Sequence, residues 1–553
     1  MLNAKPRNIN LRYVEEEYGS DGVLSKFALK YPANFNFGYD VVDDIAVNDP
    51  ERKAMVWCGR ELEPRTFTFA DMKTLSDRTC NYLRSLGIGK GDFVLVVLKR
   101  HWQFWPISVA LCKLGAVMVP ATYMLKSHDA EYRVKSSGAT AVLCTVESGA
   151  ADAFDAIAES CPELTVKISV NGRRDGWLDF DTEMPRASDS WQRVETNVHE
   201  PMLTYFSSGT SGYPKMVLHD HLYSLGHLLG AKHWHNVNPQ GLHFTIADTG
   251  WGKAVWGKLY GQWLMEACVF TFDFDTFVPT EILSLIARFQ ITTLCCPPTM
   301  YRFLLKEDFT QFDLSKLEYC TTAGEALNPD VFNDWRTRTG IAIMEGFGQT
   351  ETTVTMCNLK GTVPIPGSLG KPSPQYVVDL LDPDGNPCKT GETGELCMRY
   401  APHHTEGLMM CYYLDDEKTG QAMRDGWYHT GDTAWRDEDG YYFYVGRNDD
   451  IIKSSGYRIG PFEIESVLVQ HPAVLECAIT GVPDTEGERG FLVKATVVLN
   501  TGFTPSDALV KELQTYVKNE TAPYKYPRIV EFVSALPKTI NGKIQRAEIR
   551  RNS

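Results

Sequence analysis

Through roughly its first 360 residues the chain alternates short β-branched apolar runs with stretches of helical spacing, and this pattern confines it to layers of helices packed on covered sheets. The runs DFVLVVL (92–98), AVMVPAT (116–122), TAVLCTV (140–146) and ITTLCCP (291–297) are almost continuously apolar and bounded by Gly or Pro. A strand with no polar face is buried on both sides, as in the parallel sheets of α/β proteins. Between the first two runs, WPISVALCKLG (105–115) has helical spacing and stops on Gly.

From about residue 370 the texture changes. VVDLLDPDGNPCKTGETGELCMR (377–399) reads as two strands around a DG turn, and GYYFYVGR (440–447) follows another DG, so this stretch is mostly β. After Arg447 the pattern restarts as a compact unit: a helix over FEIESVLVQHP (462–472), a strand AVLECAITGV, an alternating strand VKATVVLN (493–500) and a helix over SDALVKELQTYVKN (506–519). A chain of 553 residues is too long for one ordinary core, and the boundary falls at Asn448–Asp449–Asp450, giving a large domain over 1–448 and a small one over 449–553.

Charge and cysteine usage narrow the function. With 55 basic and 70 acidic residues the net charge is −15, which repels a nucleic-acid backbone but leaves room for local binding of a small anion. The 14 cysteines are scattered with no CxxC spacing, which fits buried thiols in a reducing compartment. The N-terminal MLNAKPRNINLRYVEEEYG lacks the apolar run of a secretory signal, and no stretch is apolar enough to span a membrane. A cytoplasmic protein is expected.

Four segments carry chemistry. Ser207-Ser208-Gly209-Thr210-Ser211-Gly212-Tyr213-Pro214-Lys215 follows the apolar MLTYF, so that backbone N–H groups, hydroxyls and one cation can wrap polyphosphate oxygens. Its order is not that of a Walker A loop; a flexible Ser/Gly linker is the competing reading. Glu345-Gly346-Phe347-Gly348-Gln349-Thr350-Glu351 follows the strand-like IAIM and offers an acidic ligand for Mg²⁺ and an aromatic to stack on a base, although Gly-rich loops with a Glu are common. Tyr428-His429-Thr430-Gly431-Asp432, with Arg447 and Ser455-Gly456-Tyr457-Arg458 beyond it, offers a carboxylate for ribose hydroxyls and guanidinium groups for phosphate, or simply turn residues and solvated ion pairs. Near the C-terminus, Pro537-Lys538-Thr539-Ile540-Asn541-Gly542-Lys543 places one point charge on a loop.

In this order and spacing the four segments resemble the adenylate-forming superfamily of acyl-CoA synthetases, luciferases and peptide-synthetase adenylation domains. The run ADTGWGKAVWGKLYGQW (247–263) and YKYPR (524–528) are similar to its medium-chain acyl-CoA synthetase branch. The resemblance implies an α/β fold with a β-barrel part: two α/β layers plus a β-rich subdomain in the large domain, and a small α+β domain on a hinge at Asp449. It also implies ATP, Mg²⁺ and coenzyme A as co-substrates, with no zinc or flavin, a small carboxylic acid as partner, and no nucleic acid. A carboxylate attacks the α-phosphorus of ATP to give an acyl-adenylate, and the CoA thiol then displaces AMP.

Carried over by motif, Ser207 to Lys215 cover the β- and γ-phosphates, Gly324-Glu325-Ala326 and Glu345-Gly346-Phe347 frame the adenine, Thr350 contacts the α-phosphate, Glu351 holds Mg²⁺, and Asp432 and Arg447 take the ribose. Lys543 is the catalytic lysine of adenylation. Ser455, Gly456, Tyr457 and Arg458 approach CoA, and Tyr524, Lys525, Tyr526 and Arg528 hold its nucleotide. One departure is Pro483-Asp484-Thr485-Glu486-Gly487-Glu488-Arg489, in which the basic residue of the PDxxRG pattern is displaced, so no CoA contact is assigned there.

Acetate-specific relatives place a Trp where this chain has Gly348, so the acyl pocket is expected to be open to acids longer than acetate. Trp251, Lys253, Trp256, Gly257 and Tyr260 are expected around it, where their bulk equally suits short or branched acids. The clustered His219, His221, His227, His233, His235 and His243 suggest a metal at first sight, but H-x-H pairs alone do not define ligand geometry, and some of them are expected beside the nucleotide or acyl site. Cys295-Cys296 is read as structural. The reading is an AMP-forming synthetase for short- to medium-chain acids, with a benzoate-type aryl-CoA ligase, a carrier-protein-loading enzyme and a non-catalytic nucleotide sensor as alternatives.

Overall fold

The computed structural model describes residues 2–207, 214–401, 405–454, 457–485, 487, 490–538 and 544–551, with the side chain of Arg458 left out. Each apolar run forms a strand: Phe93–Val97, Val117–Pro120, Ala141–Thr145 and Thr293–Cys295. The first three, with Pro201–Ser207, Val166–Val170 and Leu178–Asp179, make a parallel sheet, which Lys215–Asp220 and Cys411–Tyr412 extend antiparallel at one edge. Helix Phe104–Leu114 is buried along its whole length and ends at Gly115, whose φ of 72° is the left-handed cap conformation that glycine adopts without strain.

In a second sheet, beside the antiparallel edge strand Pro64–Thr68, Lys53–Cys58, Cys268–Phe272, Leu242–Thr245, Thr293–Cys295, Tyr319–Thr322 and Ile343–Gly348 run parallel. At Ile343–Gly348 it turns antiparallel through Val354–Cys357, Ser368–Pro372, Tyr442–Arg447, Trp427–Arg436, Gly394–Arg399 and Val378–Leu381. The barrel-like part of the expectation therefore takes the form of an antiparallel extension of the second sheet, open in its hydrogen-bond order. Its covered face has its own apolar cluster around Leu380, Leu396, Met398 and Tyr428.

The small domain follows Asp450: a hairpin Ile452–Ser454/Tyr457–Ile459, a sheet of Val474–Pro483, Phe491–Leu499 and Ile529–Phe532, and helices Pro461–Leu468, Asp507–Glu520 and Arg546–Arg551 around a separate core. Helix Pro461–Leu468 is shorter than its sequence pattern, because the chain turns at Val469 to bring His471 against Glu512. All 14 cysteines are free and all but Cys411 are buried, Cys295 and Cys296 fully so. Among the described residues no helix is long and apolar enough to cross a membrane.

Candidate active site

A cleft of about 1540 Å³ separates the two domains. The strand Pro201–Ser207 pairs with Lys215–Asp220 so that Ser207 lies opposite Lys215; the two ends of the first motif are thus held together at the cleft mouth. Ser208, Gly209, Thr210, Ser211, Gly212 and Tyr213 lie outside the described residues. Pro214, Lys215, Gly324, Glu325, Ala326 and every residue from Glu345 to Glu351 line the same cleft, as do Trp251, Asp432 and Arg447.

The ribose candidates are locked by register. Asp432 and Arg447 lie opposite each other on paired strands, with Arg447 Nη1 3.3 Å from Asp432 Oδ2. Tyr444 donates its hydroxyl to Asp432 Oδ1 at 3.0 Å, and Gln349 Nε2 donates to Asp432 Oδ2 while its own Oε1 accepts from Tyr428 at 2.6 Å. Gly431 has a φ of +72°, and a Cβ there would stand 3.0 Å from the Arg447 guanidinium, so the turn before Asp432 requires glycine. Phe347 and Tyr444, 6.4 Å apart, give this wall aromatic edges suited to a base.

On the same strand as Phe347, Glu345 Oε1 accepts from the Leu327 N–H at 3.0 Å, and burial pushes its carboxyl up to about 8, so it is protonated at neutral pH. Glu351, 8% exposed, accepts from the Tyr412 hydroxyl at 2.9 Å. Glu351 and Thr350, neighbours in sequence that both line the cleft, offer the hard oxygen donors that Mg²⁺ selects, so the residues present fit that ion. Burial lowers the Lys215 ammonium against the opposing pull of Glu351.

The glycines of the second motif have a reason that sequence did not show. A Cβ on Gly346 would meet the Trp234 indole at 2.6 Å, and one on Gly348 would meet Trp256 at 2.4 Å. The space opened by Gly348 is therefore occupied by an indole from another element, which corrects the expectation of an open pocket wall. Trp256 is fixed by donating to the Tyr223 hydroxyl at 3.0 Å. Lys253 donates to the Ala323 carbonyl at 2.8 Å, Gly257 packs on Thr245, and Tyr260 is buried against Phe37 and Tyr223, so these three and Trp256 lie behind the cleft wall and not on it.

The six clustered histidines are also core residues and do not converge. His219 Nε2 donates to the Thr350 carbonyl at 2.8 Å, His233 pairs with Glu16, His235 with Thr321, and His243 with Thr293 and Thr245. Burial pushes His219 and His243 down to about 3, so both are neutral. None of the six borders the cleft, contrary to the expectation for some of them. Among the described residues one other group, Glu395, Cys397 and His429, brings metal-type donors together. The Arg424 guanidinium stands 3.0 Å from His429 Nδ1 and 3.9 Å from Glu395, a cation where a metal cation would have to sit.

From the small domain, Phe462, Glu465, Lys538, Ile544, Arg546 and Arg550 reach the cleft. Lys538 and Ile544 bridge to each other on either side of 539–543, so the ends of the fourth motif border the cleft while Lys543 itself lies outside the described residues. Ser455, Gly456 and the Arg458 side chain lie outside them too, as do Glu486, Glu488 and Arg489. Tyr457 and Tyr524 stack at 3.9 Å on a solvent-facing surface, with Lys525 paired to Glu463 and Arg528 over Tyr526. Among the described CoA candidates, Tyr457, Tyr524, Lys525, Tyr526 and Arg528, none lines the cleft. At the boundary expected to act as a hinge, Asp449 lies 3.7 Å from Arg447, while Asp450 is held by Arg550 at 2.6 Å. Sequence reading missed Tyr412, Arg546 and Arg550; the last two have a trace in the charged face of QRAEIRR, and Tyr412 has none.

Comparison with known proteins identifies relatives of the chain. The family model described as AMP-binding enzyme matches residues 42–413, and that of the AMP-binding enzyme C-terminal domain matches 463–543. The chain is 40% identical over 541 residues to the acyl-coenzyme A synthetase ACSM3, mitochondrial, of Homo sapiens, covering 96% of this chain and 92% of the relative. It is 40% identical over 529 residues to the human ACSM5, mitochondrial, covering 94% and 90%. Among solved structures, the anthranilate CoA ligase AuaEII with anthranoyl-AMP superposes with a TM-score of 0.86 at 30% identity, covering 94% of this chain and 98% of that one. A benzoate CoA ligase from Burkholderia xenovorans LB400 gives 0.81 at 26% identity, covering 93% and 100%.

Proposed function

The chain belongs to the AMP-binding enzyme family, and from that premise we propose that it is an ATP-dependent, AMP-forming acyl-CoA synthetase for short- to medium-chain carboxylic acids. The observation that carries the reading is the convergence of Lys215, Thr350, Glu351, Asp432 and Arg447 on one interdomain cleft, from segments up to 232 positions apart in the sequence. Its 14 free thiols fit a reducing compartment, which we take to be the cytoplasm.

In this reading Asp432 accepts from the ribose hydroxyls, Phe347 and Tyr444 flank the base, Lys215 and its loop hold the β- and γ-phosphates, and the Thr350 hydroxyl meets the α-phosphate. Glu351 holds a Mg²⁺, which neutralises charge on the phosphates. An oxygen of the substrate carboxylate attacks the α-phosphorus, the bond to pyrophosphate breaks, and Lys543 stabilises the charge gathered between them. After rotation at Asp449, the Tyr457–Tyr524 face brings CoA to the adenylate, and its sulfur attacks the acyl carbon and expels AMP.

The test is ATP–pyrophosphate exchange and CoA-thioester formation over acetate, propionate, butyrate, 2-methylbutyrate, hexanoate, octanoate and benzoate. Activity peaking between butyrate and octanoate supports the reading. The aryl ligases among the structural neighbours make benzoate the informative competitor; a benzoate maximum replaces the acyl assignment with an aryl one. Because Trp256 fills the space beside Gly348, Trp256→Ala is expected to move the optimum toward longer acids, at about 0.8 kcal/mol, or fourfold, per added methylene.

A further inference from the structure

Lys215 and Glu351, of opposite charge, share one aromatic ring at the phosphate end of the cleft. Tyr412 sits on the short strand Cys411–Tyr412, opposite Val217 of the strand that leaves the phosphate loop. The Lys215 ammonium rests 4.5 Å from the centroid of its ring, and the hydroxyl of the same ring donates to Glu351 Oε1 at 2.9 Å. The ring is 4% exposed, so these contacts form largely out of water.

The main chain beneath is secured separately. The Met409 N–H donates to the Glu351 carbonyl at 2.7 Å, and His219 Nε2 donates to the Thr350 carbonyl at 2.8 Å. What these bonds leave unset is the direction of the two charged side chains. Glu351 is the carboxylate that acts most strongly on Lys215. In a half-buried cleft such a pair gains from closing directly on itself, and an entering polyphosphate would then have to break it. Tyr412 gives each charge another partner: the ring face for the ammonium, the hydroxyl for the carboxylate. Burial and the adjoining carboxylate hold the phenol well above its ordinary value, so it remains a donor.

We propose that Tyr412 is a positioning residue that keeps Lys215 and Glu351 apart and aimed, so that a Mg²⁺-bound polyphosphate meets both without first breaking an ion pair. The inference rests on the reading of the cleft as an ATP site. Its test is calorimetric titration of the full chain with ATP, with and without Mg²⁺, for wild type, Tyr412→Phe and Tyr412→Leu. Tyr412→Phe keeps the ring and loses the hydroxyl; the factor by which Mg²⁺ strengthens ATP binding is expected to fall about tenfold. Tyr412→Leu loses both partners, and its Mg²⁺-free ATP affinity is expected to fall about threefold to tenfold more than that of the Phe variant.

A purely structural role for the ring would weaken binding equally with and without Mg²⁺ in both variants, and that result overturns the proposal. So does a Phe variant with the wild-type Mg²⁺ factor, which decides the matter even where Tyr412→Leu fails to fold. A wild type that binds no ATP under either condition removes the ATP reading itself, a failure distinct from that of Tyr412 alone.

Discussion

The nucleotide wall and the tyrosine face of the small domain are built on opposite terms. On the wall, Asp432 is 5% exposed and Glu351 8%, and both are held by neighbouring side chains within the large domain. On the small domain, Tyr457 is 49% exposed and Tyr524 37%, and they hold chiefly to each other. The difference matches the two tasks. Groups that meet charge developing on phosphate act best when fixed beforehand in a partly dry site. In the proposed cycle the tyrosine face meets CoA only after the domain turns and must tolerate water until then, which stacked amphipathic rings do at little cost.

The strongest way to break this contrast is Lys543→Ala, which removes the cation that the proposed adenylation step draws from the small domain. Pyrophosphate exchange is expected to fall about a hundredfold to a thousandfold, while thioester formation from a supplied acyl-adenylate survives. Equal loss of both half-reactions would erase the division of labour. Next comes Asp432→Asn on the wall itself. Loss of a charged acceptor should raise the KM for ATP about tenfold to a hundredfold and leave the KM for CoA near its original value, as initial rates can establish.

Tyr524→Ala sharpens the other side. The KM for CoA is expected to rise about threefold to tenfold with exchange unaffected; a change in exchange would place this face at the adenylation site after all. The smallest effect concerns Glu345. Its carboxyl is raised by burial from 4.5 to about 8, so between those values the unfolded chain has lost a proton that the folded chain keeps, and stability falls as pH rises through that window. Glu345→Gln removes the dependence. The gap in melting temperature between variant and wild type should be smallest at pH 5 and grow to about 2 °C by pH 8. A constant gap would mean that Glu345 is not a buried, protonated acid.

Sequence was informative where function is local. The strands, the Gly115 stop and the motif segments lie where period and turn residues put them, because each depends on neighbours a few positions away. The acyl side was less legible. Gly348 reads as a missing wall until Trp256, 92 positions earlier, is seen against it, and Tyr260 reads as pocket lining until Phe37 and Tyr223 are seen to enclose it. Histidine spacing suggested convergence, but His219, His233 and His235 each bond a different partner. Tyr412 was invisible for the same reason: its importance lies in two residues, Lys215 and Glu351, that approach it from other strands and loops.

In the proposed cycle the arrangement seen here, with Lys538 and Ile544 at the cleft and Tyr457–Tyr524 outside it, is the one that forms the adenylate. Asn328 of the large domain donates to the Ser466 carbonyl of the small domain at 3.2 Å, which makes these positions a natural place to join the two. The decisive measurement is of both half-reactions in an Asn328→Cys, Ser466→Cys double variant before and after bridging with a short bis-maleimide, which adds to both thiols. The account predicts that the bridged protein keeps pyrophosphate exchange and loses thioester formation. Thioester formation at the unbridged rate, or exchange lost while thioester formation persists, would contradict it.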